Sequence, residues 1–493
     1  MSGIKDLLQV ASGRFGLKKE TNNSALLLSQ IRRTKRDRIR KHWNVDGLAA
    51  KQRASLKRAI RTKVNEYLRP IRKQRRRLTR DEQVLLLRGK RPSRILDRIF
   101  PRRMALWLKL VERDAQNELP EIEVQNFSLL HDPYATLNSL KKIAAAEASA
   151  PGAMIHFRDE YCLDVAPFMI LAECWNEMLP IFQGGEMSLP MQKVLAAVGV
   201  QHALGIGLNG VSEFSNVWAF PLMRRRGAGS TQSSTPFLDA QTREFASDRF
   251  CDALNLWLSH PEIGISLNSH GIAKIKNLLG ELLENAERHS DGNRRDGSWA
   301  VSGFMARRRS EDAEEWVYRA HLGIVSIGDS FSESLDRALP DVQRALDDYV
   351  YLMKSKGAPQ SEKTLRTLAA LQDGVTCAAD ADEDQRGGFG LQEMLEIVSL
   401  LGETSHPDRS PRVTILSGSS CIRLRKPYLR GEPKETNDPT RVLWCNSMNS
   451  KDNIPDPSYV FDLEPGLPGT VISVGFVLDP DYLKAVTAGE NDE

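Results

Sequence analysis

Glu281-Leu282-Leu283-Glu284-Asn285-Ala286-Glu287-Arg288-His289-Ser290 has the spacing of an amphipathic helix with a polar column along its edge. Glu281, Asn285 and His289 are four apart, so on a helix they stack at about 6 Å per step. Beside them Ile272, Ile275, Leu279, Leu282 and Ala286 recur at three and four residues and form the buried stripe. The column therefore sits at the rim of a packed face. A carboxylate and an amide oxygen one turn apart there suit a proton acceptor beside a Mg²⁺ ligand. Glu284, Glu287 and Arg288 fall toward the solvent side.

Working outward, the 493 residues suggest about three domains. No apolar run reaches the roughly 18 to 20 residues of a membrane span, and the N-terminus lacks the apolar core of a secretory signal, which predicts a soluble, cytoplasmic protein. The six cysteines contain no C-x-x-C pair, so neither a disulfide framework nor a zinc knuckle is expected.

The net charge of +4 hides an asymmetry. Residues 1–103 hold 31 Lys and Arg against 8 Asp and Glu, a net of +23, whereas residues 104–493 hold 37 against 56, a net of −19. Basic runs at 32–41 and 72–77 flank Leu56, Ile60, Val64 and Leu68, whose four-residue spacing predicts an amphipathic helix before Pro70. Residues 1–110 thus read as a basic, mainly helical arm. Its segment 31–103 suits salt-sensitive nucleic-acid binding, an acidic protein surface, or a solvated face.

Residues 111–230 read as a small α/β domain. Strands are expected at 122–130, 153–157 and 217–223, and helices at 134–148, 164–178 and 191–204. Met154-Ile155-His156-Phe157 followed by Leu163-Asp164-Val165-Ala166-Pro167 resembles a STAS-like module. Val165 and Ala166 stand where that family carries its phosphoacceptor, so the resemblance implies a scaffold. Arg224 to Pro236 has the composition of a linker.

Downstream, a helix is expected at 239–258, then the opening helix at 271–289. Trp316–Arg319 and Leu322–Ile327 read as strands, the second ending at Gly328-Asp329. Helical patterns cover 333–354 and 362–371. Arg386-Gly387-Gly388-Phe389-Gly390-Leu391 then opens a helix over 392–401, where backbone N–H groups and the helix N-terminus favour an anion.

This ordered set resembles the GHKL ATPase superfamily. Glu281-x-x-x-Asn285-Ala286 matches its N box, Asp329 its G1 box, Gly388-Phe389-Gly390-Leu391 its G2 box, and Pro468-Gly469-Thr470-Val471 its closing strand. The resemblance covers 239–485, with an insertion at about 422–464. It implies an α+β protein with a Bergerat-type two-layer sandwich, a mixed sheet covered by helices, beside the smaller α/β domain and the basic helical region. It also implies ATP and Mg²⁺ as cofactors. Glu281 would be the general base, Asn285 the metal ligand, and Asp329 the reader of the adenine amine with Thr470 in support. Gly387, Gly388, Gly390 and Leu391 would line the phosphates.

The G1 pattern Asp-x-Gly-x-Gly is replaced by Asp329-Ser330-Phe331-Ser332-Glu333, so the chain there is expected to take another path. The function implied is a slow ATPase acting as a nucleotide-driven switch, in a regulatory or bacterial antiviral defence complex and as a homodimer or larger assembly. An anti-sigma-type Ser/Thr protein kinase and a non-catalytic nucleotide sensor or scaffold are the alternatives.

Overall fold

In the computed structural model, which describes residues 50–72, 93–103, 120–204 save 151, 179 and 180, 215–225, 241–289, 298–309, 315–373, 390–404, 409–433, 441–483 save 481, and single positions 32, 36, 206 and 406, the basic segment is partly helical. Helix α1 spans Ala50–Arg72 and so runs through Pro70 rather than stopping before it. It buries Ile60 and Val64, one turn apart, and leaves Lys57, Arg58, Arg61 and Lys63 exposed. Helix α2, Arg94–Ile99, is capped by Ser93, whose hydroxyl accepts from the Leu96 amide. Its Ile95, Leu96 and Ile99 are buried in the core of the small α/β unit.

That unit begins with β1, Glu121–Val124, followed by α3, Pro133–Ser149, where Asp132 caps the first turn and Pro133 supplies a preset φ. Then come β2, Ala153–Phe157, α4, Ala166–Met178, and β3, Phe182–Glu186. The three strands pair in parallel in the order β1-β2-β3. Strand β1 is shorter than the apolar run to Leu130 suggests. Beyond Val124 the amides of Asn126 and Phe127 donate to the Asp159 carboxylate and the Leu129 amide donates to Asp164, so the backbone bonds to side chains instead of a neighbouring strand. Two helices, α5 at Leu189–Ala197 and α6 at Val200–Leu204, replace the single helix expected at 191–204.

Buried Arg103 ties α2 to this unit. Its Nε donates to Glu147 Oε2 on α3 at 2.7 Å and its Nη1 to Asp97 Oδ1 at 2.9 Å. Residues 93–103 are therefore part of a folded core, not of an arm.

Strand β4, Val217–Arg225, does not join the small sheet; it forms an edge of a larger one. Helices α7, Arg243–Leu258, and α8, Ser269–His289, follow, then the twelve-residue strands β5, Ser298–Arg309, and β6, Trp316–Ile327. Helices α9, Phe331–Leu335, α10, Pro340–Ser355, and α11, Glu362–Ala370, form a satellite around Leu335, Met353 and Leu365. Helix α12, Gly390–Leu401, leads to β7, Arg412–Ser417, and β8, Ser420–Leu424. The short strands β9, Glu432–Pro433, and β10, Arg441–Val442, pair with each other. Strands β11, Val460–Asp462, and β12, Thr470–Leu478, complete the order β11-β8-β7-β12-β6-β5-β4.

The protein is thus a mixed α+β chain with a small parallel sheet and a seven-stranded sheet packed against helices. The large sheet is antiparallel at every pairing, which corrects the expectation of a mixed sheet. Sequence neighbours β5–β6 and β7–β8 are joined directly, and such connections force antiparallel pairing. The insertion at 422–464 supplies part of β8 and the edge strand β11, and its Trp444 packs on Tyr349 of α10 with rings 4.9 Å apart.

Strands β5 and β6 are buried almost end to end, so both faces of the sheet need cover. Even-numbered β6 residues such as Leu322 and Ile324 face α7, α8 and α12, in one core with Trp257, Leu279, Leu283 and Leu395. The opposite face, with Phe304, Val325, Leu416 and Val471, shares a core with Val165, Phe168 and Met169 of the small unit. Asp164 lies inside this second interface, accepting from the Ala166 amide at 2.9 Å and from Ser473 Oγ of β12 at 2.7 Å. Burial pushes its carboxyl up to about 6, although every one of these partners is a donor.

Candidate functional site

Helix α8 carries Glu281 and Asn285 of the polar column, while the side chain of His289 lies outside the described residues. Glu281 and Asn285 are exposed, while Leu282 and Leu283 are buried against the sheet. Partial shielding from water, with Glu393 and Glu284 nearby, raises the Glu281 carboxyl above the ordinary glutamate value. Glu287 departs from the expected solvent-facing position and is buried. Its Oε1 accepts from Arg225 Nη1 at 2.8 Å and from Trp299 Nε1 at 2.9 Å. The stripe is wider than the three-four spacing implies because α8 ends over the β4–β5 edge, where Trp299 offers an indole N–H needing an acceptor. Glu287 therefore fixes the end of the helix that carries Glu281 and Asn285.

Helix α12 packs against α8. Lys274 of α8 reaches Glu396 of α12 at 3.1 Å, and Arg441 of β10 reaches the same carboxylate at 3.2 Å. Gly390 opens α12 and Leu391 is half-buried on the helical-face core. The closeness of Glu393 to Glu281 puts the first turn of α12 beside the column. Gly387 and Gly388 lie outside the described residues. Between β6 and α12 the chain forms the satellite α9–α11, and residues 374–389 also lie outside the described ones.

At one end of the sheet three hydroxyls stand in register, Ser326 of β6 beside Thr470 of β12 beside Ser417 of β7. By strand alternation all three face the α8 and α12 side. Thr470 Oγ1 and Ser417 Oγ are 2.8 Å apart, and Ser417 Oγ also accepts from the Phe331 amide at 2.8 Å. Ser326 Oγ is buried and has no hydrogen-bond partner among the described residues, a state that costs free energy unless a ligand or water meets it. Gly469, with φ +86°, sets the start of β12, since a Cβ there would come within 2.0 Å of the Ser326 carbonyl oxygen.

Asp329 follows β6 at this same end and is half-buried, but its partner is not Thr470. Arg337 Nη1 contacts its Oδ2 at 2.7 Å. In place of the G1 glycines, Ser330 caps α9 in a full capping box: its hydroxyl accepts from the Glu333 amide while Glu333 Oε2 accepts from the Ser330 amide at 2.9 Å. The hydroxyls at 326 and 417 and the arginine at 337 escaped the sequence reading. Each serine ends an apolar strand run, a signal too common to single out without the register.

Among the described residues no group of three or more His, Cys, Asp or Glu side chains is arranged to hold a metal ion. A Mg²⁺ ion carried by a polyphosphate needs only one or two protein oxygens, so the amide oxygen of exposed Asn285 fits that lesser demand. No helix among the described residues is long and apolar enough to cross a membrane. The described cysteines are free and buried. Comparison with models of known families, with curated proteins and with solved structures finds no match to this chain.

Proposed function

We propose that the helical face of the large sheet binds Mg²⁺-ATP in the manner of a Bergerat-fold protein, and that nucleotide occupancy acts as a conformational switch. The observation carrying this reading is the polar end of an otherwise apolar layer. Exposed Glu281 and Asn285 on α8, the first turn of α12, the Ser326–Thr470–Ser417 row and Asp329 all belong to the helical side of one sheet or its adjoining end. The orphaned Ser326 hydroxyl supports a polar occupant there. Asn285 would hold Mg²⁺ and Asp329 the adenine amine. The raised Glu281 carboxyl suits a general base, whose protonation midpoint should lie nearer to neutrality than that of a free glutamate. When bound, the metal would neutralise phosphate charge. The basic arm would add a polyanion contact through the exposed cations of α1.

A second reading, a nucleotide sensor or scaffold without turnover, is favoured by the capped α9 and by the Asp329–Arg337 pair. Steady-state ATP hydrolysis by wild type and Glu281→Ala separates the two. The switch with turnover predicts a slow rate lost in the variant; equal background rates in both leave only the sensor.

A further inference from the structure

The chain leaving β8 carries Arg423, Arg425 and Lys426, the first two on one side of the strand by its alternation. Tyr459, just before β11, lies alongside them. Its carbonyl accepts from the Arg423 amide at 2.8 Å, its ring lies 5.4 Å from the Arg425 guanidinium, and its hydroxyl donates to the Lys426 carbonyl at 3.3 Å. The turn over 425–428, closed by the Tyr428 amide on the Arg425 carbonyl at 2.7 Å, brings Tyr428 edge-on to the same ring at 4.8 Å.

This surface continues onto the small unit. Arg423 Nη2 donates to the His131 carbonyl at 3.2 Å, and three residues further on, in the first turn of α3, the Tyr134 ring is 65% exposed. Lys426 is exposed, while Arg425, Tyr428 and Tyr459 are partly so.

The charges here are not neutralised. Among the described residues none of the three cations is paired with a carboxylate, whereas Arg430, a few residues on, reaches Glu403 at 3.6 Å. Arg423 Nε is buried and has no hydrogen-bond partner among the described residues. Burial and the adjacent Arg425 charge pull the Arg423 guanidinium below the ordinary arginine value. Asp132 is the carboxylate whose charge acts on it across the junction, and Asp132 Oδ1 is engaged in capping α3, accepting from the Ala135 amide at 2.9 Å. Residues 104–493 carry a net charge of −19, so carboxylates are in excess in this part of the chain, yet none is brought onto these cations. A local positive field is therefore kept on an otherwise acidic body.

An acidic protein surface would suit the cations alone. The rings interleaved with them favour a partner that offers flat, unpaired bases, because aromatic faces and arginine planes stack on bases of any sequence. We propose that this patch binds single-stranded nucleic acid, with Arg425 and Lys426 on phosphates and a base stacked on Tyr134. Guanidinium groups present paired N–H donors to phosphate oxygens. Strand β8 begins opposite Ser417 and runs away from it, so the patch and the nucleotide end lie at opposite ends of that strand. It is also separate from the cations of α1, being built by the insertion and the small unit.

The test is fluorescence anisotropy of the full chain with a labelled oligothymidylate of about 12 nucleotides, with inorganic polyphosphate, a polyanion lacking bases, as competitor. Arg425→Gln with Lys426→Gln is expected to bind the oligonucleotide at least about fivefold more weakly, and to flatten the dependence on log salt concentration by roughly 1.4, the loss of two single-strand phosphate contacts. Tyr134→Ala is expected to weaken the oligonucleotide at least about fivefold and to leave inhibition by polyphosphate unchanged. Wild-type affinity in either variant would overturn the proposal. Equal weakening of both probes by Tyr134→Ala would show a polyanion surface that stacks no base, as an acidic protein would need, and would overturn it too. Lys426 and Tyr134 are exposed, so Lys426→Gln alone and Tyr134→Ala decide the matter even where Arg425→Gln disturbs the contact with Tyr459.

Discussion

Arg337 Nη1 stands 2.7 Å from Asp329 Oδ2, an ion pair that joins the second residue after β6 to the turn following α9. The carboxylate assigned to the adenine amine is thus already engaged, and a nucleotide must compete with a guanidinium for it. Both side chains are partly solvated, and such pairs are worth at most about 1 kcal/mol.

Arg337→Ala should therefore tighten Mg²⁺-ATP binding, by up to about fivefold. Equilibrium binding of a fluorescent ATP analogue to the two proteins measures it. Weaker binding in the variant would mean that Arg337 contacts the nucleotide instead of guarding Asp329.

Glu287 joins α8 to β4 and β5 through Arg225 and Trp299. Its replacement by Ala leaves a buried indole N–H unpaired and should cost about 2 to 4 kcal/mol in urea unfolding. Glu287→Gln keeps an acceptor for Trp299 and should cost less. Equal stabilities of wild type and Glu287→Ala would show that this contact does not hold the helix.

Burial pushes the Asp164 carboxyl up to about 6 in the folded chain, above its ordinary value of 3.8. A folded-state value above the unfolded one means that the native protein binds the proton more tightly, so this residue's contribution is full at low pH and is lost as pH rises from about 4 to 6. Thermal melts of wild type and Asp164→Asn across that window should differ in slope: the wild type declines relative to the variant. Parallel curves would contradict the assignment.

Arg103 and the cations of α1 are predicted to behave oppositely. Arg103→Ala strands buried Glu147 and should destabilise the chain by about 3 to 5 kcal/mol. Replacing exposed Lys57, Arg58, Arg61 and Lys63 with Gln should change the melting temperature little. It should weaken polyanion binding and flatten its dependence on log salt concentration by roughly 0.7 to 0.9 per lost phosphate contact. An unchanged salt slope would remove α1 from the polyanion surface.

Much of this was legible in the sequence because it is local. The three-four spacing of Ile275, Leu279 and Leu282 fixes which side of α8 is buried, and with it the exposure of Glu281 and Asn285. The apolar run ending at Gly328 puts a strand before Asp329, and the resemblance implies one after Gly469; both are present as β6 and β12. What escaped depends on partners distant in the chain. Glu287 reads as a surface charge until Trp299 and Arg225 arrive beneath it. Strand β5 went unseen although it is buried on both faces, because Arg307, Arg308 and Arg309 end it with charges; Arg308 is nevertheless buried and lies over the Tyr161 ring. Strand β3 was hidden by Gly184 and Gly185, which carry little strand preference.

The most direct test of the nucleotide-binding account is equilibrium titration of the wild type with ATP and Mg²⁺, beside Asn285→Ala and Asp329→Asn. The account predicts saturable, Mg²⁺-dependent binding of one ATP per chain, at least about tenfold weaker in Asp329→Asn and with its metal dependence lost in Asn285→Ala. No saturable binding by the wild type, or binding indifferent to both substitutions, would contradict it.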